Sequence, residues 1–205
     1  NTPDIAKDVI KATKEGAGPL PISIKTRIGF NSIILDDWMK HLLEAEPAAI
    51  TLHLRTKKEM SLVGAHWEAI DVAVNLSKDT NTLILANGDL KDLDHADEMI
   101  QKTGVDGVMM ARAIYGYPWL FDRNRTRESI TVEERLGLML EHAQLYEKVF
   151  DPNKHFAVMI KHLRAYATGF DGAKELRVMM EHVENSNQVR EQIELFRNKH
   201  LVTVC

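Results

Sequence analysis

Lys25-Thr26-Arg27-Ile28-Gly29 closes a short apolar run that begins near Ile22, and three later apolar runs end in the same polar fashion. His53-Leu54-Arg55-Thr56 follows Ala48 to Leu52, Asn87-Gly88-Asp89 follows Thr82 to Ala86, and Ala111-Arg112 follows Gly107 to Met110. Each run has the length and the Ile, Leu and Val content of a strand. Function on a parallel β/α scaffold gathers at the carboxyl ends of strands, so polar strand ends in series describe one site assembled from several loops. The chain reads as a piece of a cofactor-binding barrel.

The intervening stretches carry the helical period. Thr2 is placed to cap a helix with Pro3 at its first position, a stripe of Ile5, Val9, Ile10 and Ala12, and Gly16 as its stop. Asp36 or Asp37 is placed to cap a second helix, whose Trp38, Leu42 and Leu43 face inward and which ends near Pro47. Further helices are predicted from Trp67 to Leu76 and from Leu93 to Lys102. Strands without strict alternation, separated by such helices, predict a parallel sheet buried on both faces. The units are too few for a closed eight-stranded barrel, and an open doubly wound sheet needs helices on both faces. The fold class is therefore α/β, a partial (β/α) barrel, with an all-α helical bundle after it.

The change of character follows Pro118-Trp119-Leu120-Phe121. From Thr131 onward the pattern is helical, over Val132 to Phe150, His155 to Thr168, Ala173 to Glu184 and Asn187 to Lys199. Short polar connections such as Asp151-Pro152-Asn153 and Gly169-Phe170-Asp171-Gly172 join antiparallel helices of a bundle. The expected division is a barrel region over residues 1–122 and a helical region over residues 131–205. Arg123, Arg125 and Arg127 in the connection read as a solvated loop or a phosphate-facing one.

Composition sets limits. With 205 residues, 44% of them hydrophobic, the chain can bury a sizeable core. A net charge of -4 carries no overall basic excess, so any nucleic-acid contact must be a local patch. The single cysteine, Cys205, excludes an internal disulfide framework and fits a reducing compartment, the cytoplasm being expected. No apolar run approaches the length of a membrane span, and Asn1-Thr2-Pro3-Asp4 has none of the features of a signal peptide.

Each motif also has a plain structural reading. Lys25 fits a solvated strand end with Arg27 as its surface companion, and His53 fits a satisfied core histidine. Asn87-Gly88-Asp89 is a common turn in which Asp89 is placed to cap the helix beginning near Leu93. Their coincidence at the same end of successive strands is what favours a ligand site, with small residues around Ala111 letting backbone N–H groups approach a phosphate at a following helix start.

The order and spacing of KTRIG at Lys25 to Gly29, HLRT at His53 to Thr56, Gly64 with Ala65-His66-Trp67, NGD at Asn87 to Asp89 and TGVDGVMMARAIYGYPWLF from Thr103 to Phe121 resemble the tRNA-dihydrouridine synthase family. The resemblance continues through Lys161-His162 and Glu175-Leu176-Arg177. It implies a barrel that binds FMN at its carboxyl face and a helical domain that helps hold tRNA, with NADPH as electron donor. Carried over by motif, Lys25 contacts the flavin ring region and His53 lies against the flavin or its phosphate tail. Asn87, Gly88 and Asp89 hold the ribityl or phosphate region, while Ala111 backbone donors and Arg112 bind the terminal phosphate. Lys161 and Arg164, three apart on one helix face, form a phosphate grip for tRNA, with His155 and His162 on another stripe. Tyr115 and Tyr117 read either as base-stacking or as packing, and Met139, Met159, Met179 and Met180 as core. No metal ligand is assigned.

The chain departs from the family pattern in two ways. Leu54, Ala111 and Ala113 stand where the family often has glycine, and no Asn-x-x-Cys-Pro-like loop carries the family's proton-donating cysteine. Cys205 does not match that loop, so no catalytic residue is assigned. The expectation is a C-terminal portion of such an enzyme, inactive alone and prone to self-association through an open barrel edge. Alternative readings are a noncatalytic remnant that binds RNA or protein, and another FMN or sugar-phosphate barrel enzyme.

Overall fold

The structure, a computed structural model, describes residues 3–150 and 154–201; the Thr2 cap, the Asp151-Pro152-Asn153 connection and Cys205 lie outside the described residues. Two compact units divide between Ala113 and Ile114.

The first unit alternates α1 (Pro3–Ala17), β1 (Ser23–Arg27), α2 (Leu35–Leu43), β2 (Ala49–His53), α3 (Ile70–Ser77), β3 (Leu83–Asn87), α4 (Leu93–Thr103) and β4 (Gly107–Met109). The strands form one parallel sheet in the order β1-β2-β3-β4. Right-handed crossovers that always step the same way keep their helices on one side, which is barrel winding; a doubly wound sheet reverses its order. The sheet is thus four strands of a partial (β/α) barrel, with Thr51 and Asn87 buried on the face away from the helices. Ile50, Leu52, Ile84 and Ala86 are buried with Met39, Leu42, Ile70 and Ala73 of the helices, while the alternate positions Lys25, Thr51 and Leu85 belong to the other face.

Several local expectations shift for identifiable reasons. Helix α1 runs past Gly16 and ends at Ala17, where Gly18 adopts a positive φ of 61° and its N–H bonds the Lys14 carbonyl. Its inward residues are Ala6 and Ile10, whereas Ile5 and Val9 are exposed. Helix α2 starts before Asp36 and Asp37, which lie in its first turn and cap nothing; the Ile34 N–H is tied to the Ile28 carbonyl, and Ile34 takes the cap position. Trp67–Ala69 is a 3-10 turn before α3.

The second unit is all helical: α5 (Val132–Phe150), α6 (Ile160–Tyr166), α7 (Ala173–Met179) and α8 (Ser186–His200), with 3-10 turns at Pro118–Phe121 and Phe156–Met159. A reciprocal cap opens α5. The Glu134 N–H donates to Thr131 Oγ1, and Glu134 Oε2 accepts from the Thr131 N–H. These bonds and Arg125 hold the Glu134 carboxyl down at about 2. The core joins Leu136, Met139 and Ala143 of α5 to Leu163, Leu176, Val189, Ile193 and Phe196; Met159 and Met180 are buried with them and Met179 packs at their margin. Of the linker arginines, Arg125 pairs with Glu134 and Arg127 stacks 4.5 Å from the Tyr117 ring centre, so both are tied to the fold.

Candidate functional site

Register builds the site in the first unit. Arg27 pairs with His53, His53 with Asn87, and Asn87 with Met109, so the carboxyl ends of all four strands form one row. Side chains two apart share a face, which puts Lys25 on the side of Arg27. Lys25 Nζ donates to Asn87 Oδ1 at 3.3 Å, and Asn87 Nδ2 donates to the Met109 carbonyl at 2.7 Å. Asn87 therefore links three strands with one side chain.

The loops after β2, β3 and β4 converge on Asp89. Its carboxylate accepts from Arg55 Nη2, from Arg112 Nη2 at 2.6 Å and from the Ala65 N–H at 2.9 Å. These donors lower its pKa, the Arg55 bond foremost. Asp89 itself has a φ of 53°, a conformation that three converging donors hold in place. Gly88 before it has a φ of 151°, and a Cβ there would stand 2.6 Å from the Ala65 Cβ, so glycine is required by both backbone and space. Asp89 does not cap α4. A cap must adjoin the first turn, and Asp92 does so, accepting from the His95 N–H at 2.8 Å.

His53, Asn87, Gly88, Asp89, Ala111 and Arg112 line a pocket of about 290 Å³, together with Arg27, Arg55 and the Met60-Ser61 loop. The His53 imidazole titrates at about 4, because burial and then the charges of Arg27, Lys25 and Arg55 oppose a further proton; Asp89 acts the other way. Burial, then Arg27, also lowers Lys25. Two cations, Arg55 and Arg112, thus share one carboxylate, and two more, Lys25 and Arg27, stand beside His53. Such a donor set suits a group with anionic or carbonyl oxygens. Arg112 opens a three-residue 3-10 turn and not the helix expected after Ala111, so its guanidinium, with a side chain 64% exposed, carries the charge there.

A profile of the family described as "Dihydrouridine synthase (Dus)" matches residues 1–201. The chain belongs to the dihydrouridine synthase family. It is 44% identical over 149 residues to a probable tRNA-dihydrouridine synthase of Staphylococcus aureus (strain MRSA252), a match covering 71% of this chain and 44% of that relative. A probable tRNA-dihydrouridine synthase of Staphylococcus epidermidis (strain ATCC 12228 / FDA PCI 1200) is 41% identical over 158 residues, covering 75% of this chain and 47% of the relative. Probable tRNA-dihydrouridine synthase 2 of Bacillus subtilis (strain 168) is 36% identical over 149 residues, with 71% and 45% covered. The matched part spans less than half the length of these curated relatives.

Among the family motifs, the structure draws together Lys25, His53, Asn87, Gly88, Asp89, Ala111 and Arg112. Arg27 and Arg55 also belong to the cluster, although sequence reasoning assigned neither to the site. Arg55 sits inside the quoted HLRT motif, and its place at a strand end beside His53 was the signal for it. Lys161 and Arg164 lie on α6 of the other unit. There Arg164 is 3.7 Å from Glu181, an acid outside the stretch weighed with them. His155 precedes the Phe156–Met159 turn and shares no helix with His162. His162 instead packs edge-on to Tyr115 at 5.4 Å and lies 5.5 Å from His142. Tyr117 is buried and donates to the Arg125 carbonyl, which makes it packing; Tyr115 remains 48% exposed. Among the described residues, no helix is long and apolar enough to cross a membrane.

Proposed function

We propose that the strand-end pocket holds FMN and that the chain serves the reduction of uridine to dihydrouridine in tRNA, with NADPH as electron donor. The observation that carries this reading is a pocket lined by His53, Arg27, Arg55 and Arg112, in which burial and then the neighbouring cations depress His53 to about 4. FMN, when bound, supplies hydride transfer between the nicotinamide donor and the uracil ring. Lys25, steadied by Asn87, and Arg27 place positive charge at the end of β1. Asn87, Gly88 and Asp89 shape the floor between them and Arg112. Arg112 uses Nη2 on Asp89 and offers the rest of its fork to a terminal phosphate, beside the Ala111 backbone.

In this reading residues 1–122 form the cofactor region and residues 131–205 the tRNA-holding region, with Lys161 and Arg164 on phosphates. The setting is the cytoplasm, and self-association is read from the outer edges of β1 and β4, which pair with no further strand among the described residues. Reduction of the uracil ring also needs a proton, and a positioned acid contributes about 10²–10⁴-fold. The sequence has no Asn-x-x-Cys-Pro-like loop, and its one cysteine is Cys205. The 205-residue chain alone is therefore expected to bind flavin and to reduce uridine poorly.

The test is FMN titration of the purified chain followed by single-turnover dihydrouridine formation in unmodified tRNA, beside the full-length Staphylococcus aureus relative. Flavin binding with a rate lower by about 10²–10⁴-fold is expected. A folded chain that takes up no FMN overturns the cofactor reading, and a rate equal to the relative's means that another residue donates the proton.

A further inference from the structure

Arg55 stands just beyond β2, two residues after His53, with a side chain only 4% exposed. Its Nε donates to the Val63 carbonyl at 2.7 Å, its Nη2 to Asp89, and its Nη1 meets His53 Nε2 at 3.4 Å. A guanidinium has donors and no acceptor, and it keeps its proton at any pH a protein survives. The histidine nitrogen facing it must therefore be the bare, accepting one. In a neutral imidazole the proton then belongs on the other nitrogen.

We propose that Arg55 is a positioning residue that fixes His53 as the neutral Nδ1–H tautomer, so that His53 offers the pocket an uncharged hydrogen-bond donor for an acceptor oxygen of the ligand. His53 lines the pocket, and no acceptor for its Nδ1 occurs among the described residues. Every charged group around it bears on the same result. Lys25 and Arg27 on β1 and Arg55 on the following loop oppose a second proton on the ring, and Asp89, which alone favours one, is already engaged by Arg55, Arg112 and the Ala65 N–H. The same contacts form a chain from His53 through Arg55 and Asp89 to Arg112, linking the end of β2 to the loop after β4. The pocket thus combines one neutral donor with an exposed cation, and discriminates by atom type as well as by charge.

The tautomer is directly readable by long-range 1H–15N correlation in the uniformly 15N-labelled chain, with the His53 signals assigned by their loss in His53→Asn. The expected result is a protonated Nδ1 and a bare Nε2, unchanged from pH 8 down to pH 5 and titrating near pH 4. A protonated Nε2, or an even mixture of tautomers, overturns the proposal without recourse to any Arg55 variant. Arg55→Lys keeps the charge but loses the fork, and is expected to shift the ring toward the Nε2–H form and to raise its titration midpoint. An Arg55→Lys spectrum identical to that of the parent also overturns it.

The offer of this donor to the ligand rests on the flavin reading, and three additions separate the two. A change in the His53 Nδ1 signal on adding FMN and riboflavin assigns the acceptor to the ring or ribityl part, and a change with FMN and inorganic phosphate assigns it to the phosphate. No change although flavin fluorescence shows FMN bound overturns the donor role. Failure of FMN to bind refutes the flavin reading, while the tautomer itself is read in the unliganded chain.

Discussion

The Arg55 side chain in the sheet unit is 4% exposed and spends its nitrogens on Val63, His53 and Asp89, whereas Arg164 on α6 is 47% exposed and stands 3.7 Å from Glu181. Both arginines have an acidic neighbour, and sequence spacing makes them look alike. Their energetics differ because the Arg55 guanidinium is shielded from water, although its partner Asp89 is 35% exposed, whereas both members of the Arg164–Glu181 pair are open to solvent. Losing a hydrogen bond to a charged group from a buried side chain such as Arg55 costs about 1.5–3 kcal/mol, while exposed pairs contribute about 0–1 kcal/mol. The sheet unit therefore builds its site from charges that also hold the loops together. On α6 of the helical unit, Lys161 and Arg164 stand outside the core, which is the apolar seam around Leu136, Leu163 and Ile193.

A pair of charge-neutralising variants tests that contrast directly. Asp89→Asn leaves the buried Arg55 without its partly exposed counter-ion and should cost about 1–3 kcal/mol in denaturant unfolding, as for a lost hydrogen bond to a charged group, against about 1 kcal/mol or less for Glu181→Gln. Equal losses would erase the distinction between the two regions. Next, Leu52→Ala in the sheet and Leu136→Ala in α5 each delete a side chain with no exposed surface and should each cost about 2–5 kcal/mol. A loss below about 1 kcal/mol at either position shows that its surroundings collapse into the space, and that the core there is looser than drawn.

Ligand binding sharpens the comparison further. Arg112→Ala is expected to weaken FMN retention by about 1–3 kcal/mol, as for a lost charged hydrogen bond, with the circular dichroism spectrum unchanged. Unaltered flavin affinity would remove Arg112 from the phosphate. In the helical unit, Lys161→Ala with Arg164→Ala should lower tRNA affinity and flatten its salt dependence by roughly one unit per lost phosphate contact. The single variants refine this, Lys161 being expected to contribute more because Glu181 competes for Arg164. A salt slope equal to the parent's returns both residues to an ordinary solvated face. The smallest pair should be alike in both units: Asp92→Ala and Asn185→Ala each remove a helix cap that accepts one backbone N–H, at a cost of about 1 kcal/mol. Thermal midpoints that separate the two caps would show that one helix end carries more than its own bond.

Much of the fold was legible because hydrophobic periodicity is a local property. The helix Val132–Phe150 falls where its period puts it, and each of the four apolar runs is a strand. Strand ends slipped by about one residue, as with Ala49–His53 against Ala48 to Leu52, because a strand stops where its ladder partner stops. Helix starts were less legible. Asp36, Asp37 and Asp89 are all good capping residues by type, but the Ile34-to-Ile28 bond and the converging arginines gave the caps and the carboxylates other tasks.

The sequence by itself determined the alternation of strands and helices, the amphipathic helical segment after them, the family and the gathering of Lys25, His53, Asn87 and Arg112 at one end of successive strands. Only the tertiary structure decided that the sheet winds in one direction, that Arg27, His53 and Asn87 share a row, and that Arg55 turns inward to bind Asp89 from 34 residues away. The division has a physical cause. Burial patterns repeat within a few residues and are written along the chain, whereas register and ion pairing arise only after loops close, when desolvation decides which charged groups must find one another.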